Sequence, residues 1–122
     1  MYSNGKSEEI IGKALKQYNI PRHKVVILSK CYFGVSDDGS QPQIAAASTN
    51  DGDMVNRVGL SRKHILDAVE NSVKRLGTYI DVLQIHRLDR ETPKEEIMRA
   101  LNDVVESGKV RYIGASLSLI HI

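Results

Sequence analysis

Cysteine is almost missing from this sequence. Cys31 is the single cysteine among 122 residues, so an internal disulfide is impossible and a reducing compartment is the expected setting. No apolar run approaches the roughly 20 residues that a membrane-spanning helix requires. The net charge of +2 is small, and the basic residues form no long run, which gives no support for a nucleic acid partner. Because the start also lacks a signal-peptide pattern, we predict a cytoplasmic protein without membrane or nucleic acid partners.

Two kinds of motif are also missing. The sequence has no H-x-x-x-H or C-x-x-C spacing and no cluster of carboxylates with histidines, so we predict no metal site. No G-x-G-x-x-G follows a strand, which counts against a dinucleotide-binding doubly wound sheet. Cys31 is a poor candidate nucleophile, because a lysine beside it in sequence does not place a base beside its thiol.

What the sequence does contain is one unit repeated three times: a capped amphipathic helix, a short stop, and an apolar strand that ends in a polar residue. The helices are predicted to begin at Ser7, at Ser61 and at a capping box over residues 92–95, and to end near Asn19, Gly77 and Gly108. The strands are predicted at residues 25–28, 80–85 and 110–115. The first of them is an unbroken apolar run, which is typical of a strand that is covered on both faces.

Strands that alternate with helices predict an α/β fold with a parallel sheet, and both a barrel and a doubly wound sheet fit this order. In either fold, the polar strand ends Lys30, His86 and Ser116 lie on the same rim of the sheet. Lysine and histidine there suggest a site for a carbonyl or a phosphate. Each also has a structural interpretation, since Lys30 could extend its ammonium to solvent and His86 could be a structural histidine.

Residues 31–60 interrupt the repeated pattern. They are rich in Asp, Gly, Ser and Asn, as in 37–40 and 50–53. A loop of this length inside a compact domain is uncommon, and it is either functional or a solvated insertion. If it is functional, we expect it to shape the substrate pocket.

Four segments resemble the aldo-keto reductase family, most closely its fungal branch. They are YSNGKSEEIIG at 2–12, KVVILSK at 24–30, RLGTYIDVLQIHR at 75–87 and GKVRYIGAS at 108–116. The resemblance implies a partial (β/α)₈ TIM barrel, in which residues 1–116 supply about three of the eight units of one domain and 31–60 form a loop insertion. It also implies an oxidoreductase that reduces small-molecule aldehydes and ketones by hydride transfer from NADPH, and it specifies no oligomeric state.

The same resemblance assigns roles to residues. It places the family's catalytic tyrosine on Tyr2, its lysine on Lys30 and its histidine on His86, and it matches Ser116 with the serine that contacts the nicotinamide amide. A free tyrosine, with a pKa of about 10, is a reluctant proton relay near neutrality, and a nearby ammonium lowers that pKa, which is the expected role of Lys30. His86 is expected to orient and polarise the substrate carbonyl.

The sequence departs from the family pattern at both ends. The family's fourth catalytic residue is an aspartate shortly before the tyrosine, but only Met1 precedes Tyr2. Residues 117–122 do not continue the pattern and match a translation of a transposon-based sequencing adapter. We therefore expect this tail to be an artefact, in which His121 has no role, and the chain to be truncated at both ends.

An open piece of parallel sheet has unpaired edges and an uncovered face, so we expect the chain alone to be aggregation-prone. We also expect it to be inactive, because the catalytic aspartate and the C-terminal cofactor-binding half that the resemblance implies are missing. Two alternatives to an enzyme remain. One is a regulatory subunit that senses cofactor and binds partners with the same fold. The other is a product without function.

Overall fold

The computed structural model describes residues 2–36 and 49–116, which form three parallel strands with helices against one face of the sheet. The helices are α1 (Lys6–Gln17), α2 (Arg62–Leu76) and α3 (Lys94–Glu106), and the strands are β1 (Leu28–Cys31), β2 (Ile80–Ile85) and β3 (Val110–Ala115). Short 3₁₀ turns span Arg22–Lys24 and Gly52–Met54. The predicted tail at 117–122 and the middle of the predicted loop, residues 37–48, lie outside the described residues. Within the described ranges, no helix has the length and apolarity to cross a membrane.

The sheet has the strand order β1-β2-β3 with both pairs parallel. Its register aligns Leu28 with Val82 and Val82 with Tyr112. Because each strand is joined to the next through a helix, the predicted repetition of helix and strand is confirmed, and the three carboxyl ends meet at one edge.

The core lies between the sheet and helices α2 and α3. Each helix and strand contributes the apolar side chains of one face to this core, and the polar side chains of the same element face away from it. Its buried members include Ile27, Leu83, Ile85, Ile65, Val69, Leu76, Ile97, Leu101 and Val104, all at most 8% exposed.

The opposite face of the sheet is uncovered within the described residues. Val26 and Tyr112 are each 70% exposed there, and Leu28 is 55% exposed. The prediction of a first strand at 25–28 covered on both faces is therefore wrong. The strand ladder begins at Leu28, and within the described residues this run packs on its helix-facing side, where Ile27 is buried and Val25 is partly buried.

Helix α1 differs from its prediction in both its start and its buried face. It is capped by Gly5, whose φ of 82° is left-handed, so Ser7 lies inside the first turn instead of capping it. The spacing of its apolar residues predicts a buried stripe that includes Ile10 and Tyr18, but these two side chains are 64% and 69% exposed. The helix instead packs through Gly12, where an added Cβ would lie 2.6 Å from the carbonyl oxygen of Leu76.

The ends of the other two helices give mixed outcomes. Ser61 caps α2 by accepting a hydrogen bond from the His64 amide, and Gly77 ends it with a φ of 70°, as predicted. The capping box of α3 is wrong, because Pro93 is the N-cap and makes no side-chain cap. The Thr92 hydroxyl donates to the Asp89 carboxylate at 2.7 Å.

Candidate active site

The carboxyl edge of the sheet brings the three predicted strand ends side by side. The amide of His86 donates to the carbonyl of Cys31 at 3.0 Å, and the amide of Ser116 donates to the carbonyl of Ile85 at 2.9 Å. Lys30 is the penultimate residue of β1. The structure therefore places Lys30, His86 and Ser116 along one rim.

Tyr2 reaches this rim through an unusual turn. Ser3, Asn4 and Gly5 are consecutive residues with positive φ, at 49°, 52° and 82°. The left-handed region is costly for residues other than glycine, although asparagine tolerates it better than most. The turn reverses the chain just before α1 and leaves the Tyr2 ring half exposed above the strand ends.

The three candidate catalytic side chains come together. The rings of Tyr2 and His86 are stacked, with their centroids 6.3 Å apart and their planes at 26°. The Lys30 ammonium lies 5.8 Å from the Tyr2 ring centroid. Within residues 2–36 and 49–116, no carboxylate forms an ion pair with Lys30.

His86 is held by aromatic and cationic neighbours. The Phe33 ring meets the imidazole edge-on, with centroids 4.9 Å apart and planes at 89°. The Arg87 guanidinium lies 4.8 Å from the Phe33 ring centroid. Burial lowers the pKa of His86, and the positive charges of Lys30 and Arg87 lower it further. A neutral imidazole at pH 7 can donate one hydrogen bond to a carbonyl oxygen.

Sequence reasoning missed two residues at this site, Phe33 and Asn4. Phe33 is buried and packs on His86, and its only sequence signal was an aromatic pair directly after a polar strand end. The side-chain amide of Asn4 donates to the Ser36 carbonyl at 3.0 Å and accepts from the Ser36 amide at 2.6 Å. An Asn-Gly pair indicates a left-handed turn, but nothing in the sequence identifies Ser36 as its partner.

A cavity of about 720 Å³ opens beside this cluster, between α1, α2 and the two described ends of residues 31–60. Tyr2, Lys30 and Phe33 line it, whereas His86 and Ser116 do not. The cavity therefore adjoins two of the three candidate catalytic side chains, Tyr2 and Lys30. In the described part of the chain, no three His, Cys, Asp or Glu side chains gather to where they could hold a metal ion.

Residues 1–120 match the model of the aldo/keto reductase family. The chain belongs to the aldo/keto reductase family. It is 76% identical over 117 residues to a versiconal hemiacetal acetate reductase of Aspergillus parasiticus, which covers 95% of this chain and 34% of that relative. It is also 53% identical over 129 residues to an aldo-keto reductase of Alternaria alternata, covering 99% of this chain and 35% of the relative. A third such enzyme, from Metarhizium robertsii, is 52% identical over 123 residues, covering 95% of this chain and 33% of the relative.

Family membership confirms the resemblance and its fold. The three helix-strand units are part of the (β/α)₈ barrel of the aldo/keto reductases, whose sites lie at the carboxyl ends of the barrel strands. Members of this family are oxidoreductases of carbonyl compounds that generally use NAD(P)H. The chain spans about a third of the length of the curated relatives it matches.

Proposed function

We propose that the protein carrying this chain is a cytoplasmic, NADPH-dependent reductase of small-molecule aldehydes and ketones. The observation that supports this most directly is the cluster of Tyr2, Lys30 and His86 at the carboxyl edge of the sheet. An acid, a cation and a neutral imidazole within about one side chain's length are the groups that carbonyl reduction needs beside a hydride donor.

NADPH, when bound, supplies the hydride that adds to the carbonyl carbon. The Tyr2 hydroxyl then gives its proton to the carbonyl oxygen, which becomes the alcohol. The Lys30 ammonium stabilises the negative charge left on the phenolate, because no carboxylate among the described residues neutralises it. His86 donates a hydrogen bond to the same oxygen and fixes its direction toward Tyr2.

Ser116 is the proposed contact to the cofactor within the described residues. It lies directly after β3, next to the strand end that carries His86. Its hydroxyl has no hydrogen-bond partner in ranges 2–36 and 49–116, and a hydroxyl can both donate to and accept from a carboxamide. These properties fit a nicotinamide held across the rim.

The names of the relatives suggest a substrate class. The A. parasiticus relative is a reductase of a hemiacetal acetate, and a hemiacetal is in equilibrium with an open carbonyl compound. We propose carbonyl compounds of this kind as substrates, including those that open from hemiacetals. An aryl aldehyde serves as a simple probe of the reaction.

The test uses a chimera in which residues 2–116 of this chain replace the aligned segment of the A. parasiticus relative, here called the full-barrel chimera. We expect it to oxidise NADPH in the presence of the aldehyde, and we expect Tyr2→Phe to abolish turnover because the proton donor is removed. NADPH binding, followed by fluorescence, should survive that substitution, since Tyr2 is not a proposed cofactor contact.

The outcomes separate the competing functions. Turnover that persists at the parent rate in Tyr2→Phe would contradict the proposed mechanism. Cofactor binding without turnover by the parent chimera would favour the regulatory alternative. We expect the 122-residue chain alone neither to bind NADPH nor to reduce the aldehyde. Ser116 is its one proposed cofactor contact within the described residues, and the apolar sheet face at Leu28 and Tyr112 is exposed.

A further inference from the structure

The first end of residues 31–60 is fastened to the turn that carries Tyr2. Asn4 pairs with the backbone of Ser36 through two hydrogen bonds, one donated by its amide nitrogen at 3.0 Å and one accepted by its oxygen at 2.6 Å. Asn4 is two residues from Tyr2, within the left-handed turn. A displacement of Ser36 therefore displaces Asn4 and, through the backbone of the turn, changes the orientation of the Tyr2 ring.

The second end is fastened to the segment that carries His86. Asp89 accepts hydrogen bonds from the Leu60 amide at 2.8 Å and from the Thr92 hydroxyl at 2.7 Å. Gly59 permits this approach, since a Cβ there would lie 2.7 Å from the carboxylate oxygen of Asp89. Burial opposes ionisation of Asp89, but the hydrogen bonds from Leu60, Thr92 and the Glu91 amide outweigh it and lower its pKa. Asp89 is thus an ionised acceptor at neutral pH, three residues beyond His86.

The two ends are also joined to each other. The Gly59 amide donates to the Tyr32 carbonyl at 2.8 Å. Gly34 lies against Met54, with only 2.5 Å between its ideal Cβ position and the Met54 sulfur. Phe33, which is 7% exposed, lies between these contacts and packs on His86. The described ends of 31–60 therefore form one unit that touches both candidate catalytic segments.

We propose that Asn4 and Asp89 are positioning residues for the carbonyl reduction proposed above. They fasten residues 31–36 and 54–60 to the Tyr2 turn and the His86 segment, which holds Phe33 against the imidazole and sets the spacing of Tyr2 and His86. This inference rests on the proposed function. Neither side chain touches the reacting groups, and each acts through backbone. Because a misplacement of about 1 Å can cost about 100-fold in rate, loss of either contact should lower kcat about 10- to 100-fold.

The test compares matched variants of the full-barrel chimera. Asn4→Gly removes both side-chain hydrogen bonds while glycine keeps the positive φ without strain. Ser3→Gly is its control, because Ser3 has a φ of 49° and no side-chain hydrogen bond to the described ends of the loop. Asp89→Asn weakens the second anchor, and Asp103→Asn is its control, on the exposed surface of α3 where it pairs with Arg62. The readouts are kcat, KM for aldehyde and for NADPH, and amide hydrogen exchange over 31–36 and 54–60.

We expect Asn4→Gly and Asp89→Asn to lower kcat, to speed exchange in both peptides, and to leave KM for NADPH within about twofold, as Ser116 lies on neither anchored segment. Asn4→Asp keeps an acceptor for the Ser36 amide and should recover part of kcat. If Asn4→Gly matches Ser3→Gly in kcat and exchange while Tyr2→Phe remains inactive, the inference is overturned and the proposed function stands. If the parent chimera shows no turnover that depends on Tyr2, the proposed function fails and the inference fails with it.

Discussion

Acidification should destabilise this protein through one buried histidine, His64. His64 lies in the first turn of α2 and is 6% exposed. Its Nε2 is buried and has no hydrogen-bond partner among the described residues. Burial, which penalises the charged imidazolium, lowers the pKa of His64 from 6.5 to about 4.

The size of the effect follows from linkage. Between pH 6.5 and about 4, the unfolded chain binds a proton at His64 that the folded chain does not, so the free energy of unfolding falls as pH falls. Each pH unit in this interval costs about 1.4 kcal/mol, so the loss is absent above about pH 7 and reaches about 3 kcal/mol at pH 4. This is a large part of the roughly 5–15 kcal/mol that stabilises a typical domain.

Urea denaturation of the full-barrel chimera at several pH values between 7 and 4 would measure it. Relative to His64→Gln, the parent should lose about 3 kcal/mol across this range, whereas His23→Gln, at an exposed residue, should follow the parent. His86 also has a lowered pKa, but it is present in all three proteins and cancels in the comparison. Parallel pH curves for the parent and His64→Gln would refute the reasoning, because they would mean that the buried imidazole is protonated without cost.

Three further predictions concern packing, an ion pair and activity. Gly12→Ala, a change that stabilises most helices, should here lower the free energy of unfolding by about 1–3 kcal/mol, because its Cβ would lie 2.6 Å from the Leu76 carbonyl oxygen; a raised Tm would contradict this. Arg22→Gln should lower the free energy of unfolding by about 2 kcal/mol, because it removes a charged hydrogen bond to Asp81 at 2.6 Å between side chains that are only 19% and 17% exposed, and a double-mutant cycle with Asp81→Asn in urea should show coupling. Because burial and the charges of Lys30 and Arg87 lower the pKa of His86 from its ordinary 6.5, the acid limb of kcat/KM for the aldehyde should have its midpoint below pH 6.5; a midpoint above pH 6.5 would argue against a neutral imidazole.

The parts of the fold that local sequence specifies were predictable. Strand β3 has the predicted bounds, and α2 begins after Ser61 and ends at Gly77, because a side-chain cap and a left-handed glycine act within one turn of the chain. The placement of Lys30 and His86 on one rim followed from the parallel order of strands.

Features that depend on distant partners could not be read from the sequence. Thr92 has the pattern of a helix cap, but the helix begins after Pro93 and the Thr92 hydroxyl donates to Asp89 instead. The apolar residues of α1 predicted a buried stripe, whereas the close approach of Gly12 to α2 decides which side of the helix is covered. The contacts of Asn4 and Phe33 with residues more than 30 positions away are equally invisible to local pattern.

The turn after Tyr2 has a consequence for how variation at Ser3 and Asn4 should be understood. Three successive residues there occupy the half of conformational space that mirror-image amino acids prefer. Tolerance at these two positions should therefore follow handedness before size or polarity, so that a D-amino acid would suit the backbone better than most L-residues of similar volume. A preference for small polar residues in this turn would suggest selection for hydrogen bonding. At position 3, however, the cause would be the left-handed backbone conformation.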